Sequence, residues 1–136
     1  MSVEFVDTNV LVYAHDTTSP SKQPIAIALI ERLWAARAGR LSTQVLLEFF
    51  ATARKAGLTP AIAADMVDDY SRWPIYTPTA EDVSAAARLS IKQTISIWDA
   101  LIVRSALQSG CDVLWSEDLQ DSRRFGTLRV QNPFRG

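Results

Sequence analysis

The sequence predicts an α/β fold, a parallel sheet with helices over both faces, and three observations carry that prediction. Short strand-like apolar runs alternate with longer segments of helical spacing, the order expected of a sheet covered on both sides. The 136 residues are 48% hydrophobic, which allows a sizeable core and disfavours wholesale disorder. No repeat, linker or low-complexity stretch divides them, so residues 1–136 read as one domain.

In chain order, Val3-Glu4-Phe5-Val6 reads as a buried strand. Asp7-Thr8-Asn9 follows as a cluster of helix-capping residues before Val10-Leu11-Val12-Tyr13. Ser19-Pro20-Ser21 punctuates the chain, and a helix then runs to about Ala38, with Ile27, Ile30, Leu33 and Trp34 at helical spacing and Gly39 as its stop. Arg40–Thr43 is a short strand. Thr43 caps a helix to Ala56, ended by Gly57, and Thr59-Pro60 begins another with Asp65, Asp68 and Asp69 on its polar side. Ile75-Tyr76 is a short strand after Pro74. Thr79 caps a helix through about Lys92, and Ser96 caps the next, ended by Gly110. Asp112–Trp115 is a strand, Ser116 to Gly126 a polar loop, and Leu128–Val130 a last strand before Asn132-Pro133.

Composition narrows the chemistry. His15 is the only histidine and Cys111 the only cysteine, which excludes an intrachain disulfide, a thiolate cluster and a multi-histidine zinc site. No apolar stretch reaches the roughly 18 residues of a membrane span, and Asp7 lies where a secretory core would be, so the expectation is a cytoplasmic protein with no membrane. With 14 basic and 15 acidic residues the net charge is −1, not the footprint of a protein that coats nucleic acid. A nucleic-acid substrate would have to be held locally, by a few arginines and a metal. Eleven of the 14 basic residues are arginine, a bias suited to phosphate contacts and equally an outcome of codon usage.

The lone acids carry most of the information. Asp7 ends an apolar run, Glu48 interrupts Val45-Leu46-Leu47-Glu48-Phe49-Phe50, Asp99 interrupts Ile97-Trp98-Asp99-Ala100-Leu101-Ile102-Val103, and Asp118 follows Val113-Leu114-Trp115-Ser116. Folding gathers apolar segments and the acids embedded in them. A buried, unpaired carboxylate costs several kcal/mol or changes its protonation. Two carboxylates about 4 Å apart repel by roughly 4 kcal/mol at an effective dielectric of about 20. A divalent cation converts that repulsion into coordination, and an all-oxygen donor set favours Mg²⁺ or Mn²⁺. Asp7 and Asp118 fall at or just beyond strand C-termini, the edge where open α/β sheets bind ligands. The reaction this set suits is metal-assisted phosphodiester hydrolysis.

Each acid has a structural alternative. Asp7 can serve as a helix N-cap. Glu48 lies just off the apolar face formed by Val45, Leu46, Phe49, Phe50 and Ala53, as a solvated rim residue would. Ser96-Ile97-Trp98-Asp99 fits a capping box, although Asp99 projects away from the polar stripe of Arg104 and Gln108, and a cap alone does not require that. Asp118 shares a loop with Glu117 and Asp121. Asp65, Asp68, Asp69, Glu81 and Asp82 read as exposed or first-turn helix residues, His15 as a helix-end residue, Cys111 as packed beside a strand, and the four tryptophans as core or partner-facing.

Asp7-Thr8-Asn9, Glu48, Ser96-Ile97-Trp98-Asp99-Ala100-Leu101-Ile102 and Ser116-Glu117-Asp118, in this order over nearly the whole chain, resemble the PIN-domain family, with the closest likeness to VapC-type toxins of toxin–antitoxin pairs. The resemblance implies a three-layer α/β/α sandwich with a central parallel sheet and a Mg²⁺- or Mn²⁺-dependent endoribonuclease. It implies Asp7, Glu48, Asp99 and Asp118 as the catalytic acids, with Thr8, Asn9 and Ser116 as supports. In that reading Asp7 and Asp99 ligate the metal, helped by Asp118, and Glu48 orients or deprotonates the attacking water or binds a second ion. Asp121 competes for the role of Asp118, and Arg123 and Arg124 are candidates for a flanking phosphate. A small antitoxin protein and a homodimer are implied as partners, with RNA as substrate. Two rivals are a phospho-accepting signalling domain and a catalytically inactive module of the same fold. The first needs an acceptor acid ending a central strand and a lysine ending a later one. Leu41-Ser42-Thr43 and Ile75-Tyr76-Thr77 lack the acid, and Lys92 lies in a helix.

Overall fold

The computed structural model describes residues 2–135. Strand β1 (Glu4–Val6) is buried throughout, and Asp7 turns the chain into helix α1 (Thr8–Ala14). Helix α2 (Gln23–Ala36) leads to β2 (Gly39–Ser42), then to α3 (Thr43–Thr52), a 3₁₀ turn (Ala53–Ala56) and α4 (Pro60–Tyr70). Strand β3 (Ile75–Tyr76) precedes α5 (Ala80–Gln93) and α6 (Ile97–Gln108). Strand β4 (Val113–Trp115) and a hairpin of β5 (Arg124–Phe125) with β6 (Leu128–Gln131) complete one sheet of order β3-β2-β1-β4-β6-β5.

The β1/β2, β1/β4, β2/β3 and β4/β6 pairs are parallel; only β5 runs antiparallel, against β6. The predicted α/β class therefore holds as a mostly parallel sheet flanked by helices. After β1 the chain builds outward through β2 and β3, then crosses to β4 on the other side of β1. This makes the β1/β4 boundary the point where strand order reverses, and a crevice opens beyond the strand ends there. Phe5, Leu41, Leu114 and Val130 are fully buried in the sheet, and Leu11, Leu33, Phe49, Ile102 and Val103 pack over it from the helices.

Several local expectations shift. Helix α2 ends at Ala36, with Arg37 left-handed (φ 54°), and Gly39 is the first residue of β2 rather than a helix stop. A Cβ on Gly39 would lie 2.1 Å from the Trp73 ring, so the glycine lets that indole pack flat on the strand. Ser42, not Thr43, caps α3, its hydroxyl accepting from the Val45 amide at 3.3 Å. The loop after β4 holds the unpredicted strand β5, joined to β6 through Gly126 (φ 60°). Asp82 is buried in the first turn of α5 rather than exposed. Its carboxylate accepts from the Thr79 amide, the Tyr76 hydroxyl and Arg104 Nε. These donors, the Tyr76 hydroxyl foremost, hold it well below the usual carboxylate range.

Candidate active site

Pairing of Val6 with Trp115 sets the ends of β1 and β4 side by side, and the Asp7 amide donates to the Trp115 carbonyl at 2.9 Å. Asp7 therefore meets Ser116, whose hydroxyl donates to Asp7 Oδ2 at 2.8 Å. Asp7 Oδ1 accepts from the Thr8 amide at 2.7 Å, so the capping alternative is real; the same side chain is only 4% exposed. Burial is the largest influence on its acidity. Against the two donors, burial and the charges of Asp118 and Glu48 push its carboxyl up to about 7.

The other three acids arrive from three further segments. Glu48 projects from α3 with Oε1 accepting from the Thr8 hydroxyl at 2.8 Å and Oε2 from the Gln44 amide at 3.1 Å. Asp118 lies beyond β4, where Asn9 Nδ2 donates to its Oδ1 at 2.7 Å and its own amide donates to Ser116 Oγ at 3.2 Å. Desolvation first, then the charges of Asp99, Glu117 and Glu48, raises the Asp118 carboxyl despite the Asn9 bond. Asp99 opens α6. Its amide is capped by the Ser96 hydroxyl at 3.0 Å, but the reciprocal bond of a capping box is formed only at Thr79/Asp82. Among the described residues the Asp99 carboxylate accepts no hydrogen bond.

Asp7, Glu48, Asp99 and Asp118 thus line one pocket of about 310 Å³, together with Thr8, Asn9, Thr52, Trp98 and Ile102. The donor set is all-oxygen and anionic and fits Mg²⁺ or Mn²⁺. Among the described residues no three acids, histidines or cysteines pack closely enough to form a preformed cluster. Neutral donors hold three of the four carboxylates, and mutual repulsion favours their separation in the metal-free chain. No lysine lines the pocket, as a phospho-acceptor site would require. Lys22 is engaged at its margin, pairing with Glu117, which also accepts from the Tyr13 hydroxyl.

Other candidates are placed elsewhere. Asp121 Oδ1 accepts from the Asn132 amide at 2.8 Å and its other oxygen faces Arg135 at 3.9 Å, so it fixes the C-terminal segment. Arg123 donates to the carbonyl and the side-chain oxygen of Gln93 and lies over Phe125, which removes it as a ready phosphate ligand; Arg124 is exposed on β5. His15 ends α1 and shares a 2.9 Å hydrogen bond with Tyr70. Trp98, 64% exposed, stands at the pocket instead of in the core. Gln44 and Thr52 were not singled out from the sequence. They lie four residues before and after Glu48 on the same helix face, and that spacing is the signal that could have found them.

The family model described as PIN domain matches residues 5–125. No curated protein matches the chain significantly. Among solved structures, the VapC20 toxin of Mycobacterium tuberculosis, described as cleaving the sarcin–ricin loop, is similar at 22% identity and TM-score 0.65, over 85% of this chain and 91% of that one. A VapBC2 structure from Rickettsia felis bound to a promoter DNA fragment is similar at 22% identity and TM-score 0.66, over 96% and 98%. A DNA-bound VapBC structure from Salmonella typhimurium is similar at 20% identity and TM-score 0.67, over 98% and 99%.

Proposed function

The chain belongs to the PIN-domain family, and on that premise we propose that it is a Mg²⁺- or Mn²⁺-dependent endoribonuclease acting as the toxin of a toxin–antitoxin pair. The observation that carries the reading is the convergence of four acids from four separate segments on one pocket at the β1/β4 switch point, with Asp99 not engaged in a capping box. Residues 1–136 act as one nuclease domain in the cytoplasm. A small antitoxin protein restrains it, and it works as a homodimer. Among the described residues, no helix is long and apolar enough to cross a membrane.

Asp7, Asp99 and Asp118 would hold the ion. When bound, such an ion polarises the phosphate and lowers the pKa of water. The Ser116 hydroxyl and the Asn9 amide keep Asp7 and Asp118 facing the pocket. Glu48, fixed by Thr8 and Gln44, orients the attacking water and accepts its proton. The new bond joins the water oxygen to phosphorus, the bond from phosphorus to the 3′ oxygen breaks, and that oxygen takes a proton from solvent. Products then carry 5′-phosphate and 3′-hydroxyl ends. Purified protein, free of antitoxin, should cut single-stranded or loop RNA with Mg²⁺ or Mn²⁺ and stop with chelator. Cyclic phosphate ends, or full activity in excess chelator, would sink the mechanism.

A further inference from the structure

An acidic pocket explains cleavage and leaves RNA capture unexplained, because a strand of phosphates is repelled by the uncompensated carboxylates. A chain of net charge −1 has to place its phosphate contacts locally. Many of its arginines are already engaged. Arg32 pairs with Glu4, Arg104 with Asp82 and Arg135 with Asp121. Arg123 donates to Gln93, and Arg40 to the carbonyls of Arg37 and Gly39. Arg37 and Arg72 are exposed and form no ion pair among the described residues.

Those two arginines flank a cleft of about 480 Å³ at the opposite edge of the sheet from the acids, where Gly39 begins β2 and Pro74 precedes β3. Its wall is a pair of indoles. Trp73 is buried, packed where Gly39 lacks a Cβ, and Trp34 lies against it with centroids 6.2 Å apart and planes 29° apart. The inner ring thereby fixes the outer one. Trp34 is nonetheless 52% exposed, a large apolar surface held beside two unpaired cations. A stacking surface beside guanidinium groups is the chemistry that binds a base together with its phosphate.

We propose that the Trp34–Trp73 cleft is a second contact site for single-stranded RNA, with a base stacked on Trp34 and an adjacent phosphate held by Arg37 and Arg72. It deepens the nuclease reading and rests on it for the choice of RNA as ligand. Because β2, four residues or roughly 13 Å of strand, separates the cleft from the acidic edge, the site acts only on RNA long enough to reach both. It therefore increases capture of long substrates and leaves very short ones unaffected.

The test is binding of a fluorescently labelled single-stranded RNA of about 12 nucleotides, within the site sizes of such grooves, by anisotropy in chelator so that nothing is cut. Trp34→Leu should weaken binding about tenfold, and Trp34→Tyr should restore most of it. The double variant Arg37→Gln with Arg72→Gln should weaken binding and lower the salt slope by about 1.4, from about 0.7 per phosphate contact on a single strand. Metal-dependent cleavage of an RNA of about four nucleotides should be unchanged in all of them. Equal binding of the longer RNA by parent and variants would overturn the cleft and leave the nuclease reading standing. Intact, Trp34-dependent binding with no cleavage in metal would do the reverse. Failure of the parent to bind the longer RNA, or a changed oligomeric state in Trp34→Leu with RNA binding unaltered, also overturns the proposal; the latter outcome would mark the cleft as a protein interface.

Discussion

Replacing Asp7 by asparagine should stabilise the metal-free protein at neutral pH, an unusual result for a buried hydrogen-bonded residue. Asp7 is 4% exposed, accepts two neutral hydrogen bonds and has no cation beside it. Its carboxyl is pushed from an ordinary 3.8 to about 7. The folded state therefore binds a proton that the unfolded state has already lost between those two values. Stability falls as pH rises through that window and is flat above it. The full interval corresponds to about 4 kcal/mol. Asparagine keeps the acceptor for the Thr8 amide and has no charge to desolvate, but it turns an amide toward Ser116, which offsets part of the gain. At roughly 3 °C per kcal/mol for a chain of this size, Asp7→Asn should melt up to roughly 10 °C above the parent in chelator at pH 8 and close to it near pH 4. Saturating Mg²⁺ should stabilise the parent by roughly 2.7 kcal/mol at about 100 times Kd and the variant much less, narrowing or reversing the gap. Thermal melts of both proteins at the two pH values, with chelator and with Mg²⁺, provide the measurement. A variant less stable by the same margin in every condition would mean that Asp7 is a structural cap and the shared metal site is wrong.

Three further outcomes follow from the same geometry. Asp99→Asn leaves the Ser96 cap intact, so the fold should persist by circular dichroism while RNA cleavage falls by orders of magnitude; near-normal cleavage would remove Asp99 from the ligand set. Asp82→Ala strands Arg104 and removes the capping box, and should cost about 3 kcal/mol at pH 7 by denaturant titration. Because the Asp82 carboxyl is held below its usual range, that penalty should shrink as pH falls below about 4, and a penalty constant down to pH 2 would refute the ion-pair account. Gly39→Ala drives a methyl into the Trp73 ring and should cost about 1–3 kcal/mol, and an unchanged melting temperature would show that the indole moves freely.

Much of this arrangement was legible in residue order because it depends on local pattern. Strand-ending acids at Asp7 and Asp118 announce a ligand edge once the sheet is parallel, and Asp99 stood out by interrupting an apolar helix away from its polar stripe. What was missed depends on partners remote in sequence. Gly39 looked like a helix stop because Trp73, the ring that requires it, arrives from beyond α4. Asp82 looked like a solvated first-turn acid because Arg104, which pairs with it, comes from the next helix. Arg123 looked free because Gln93 meets it only in the folded chain. The β5–β6 hairpin is a different kind of miss. Phe125-Gly126-Thr127-Leu128 is a two-residue glycine turn between apolar residues, and its strands are too short for alternation to register.

Asp7 and Asp82 show most directly how the same side chain is put to opposite uses. Both follow a strand, both meet the start of a helix, and both are almost fully buried. Asp82 is given an arginine, a tyrosine hydroxyl and a backbone amide, and its acidity is strengthened. Asp7 is given an amide and a serine hydroxyl with three acids lining the same pocket, and its acidity is weakened. The nearest ammonium that could have relieved it, Lys22, is engaged by Glu117. An aspartate kept only to hold a helix start gains nothing from such surroundings, as Thr79, Ser96 and Thr59 cap their helices without charge. The charge at Asp7 is destabilising in the isolated chain and stabilising only when a cation from solution joins it, which is why the metal dependence of stability, more than activity alone, separates a ligand from a cap.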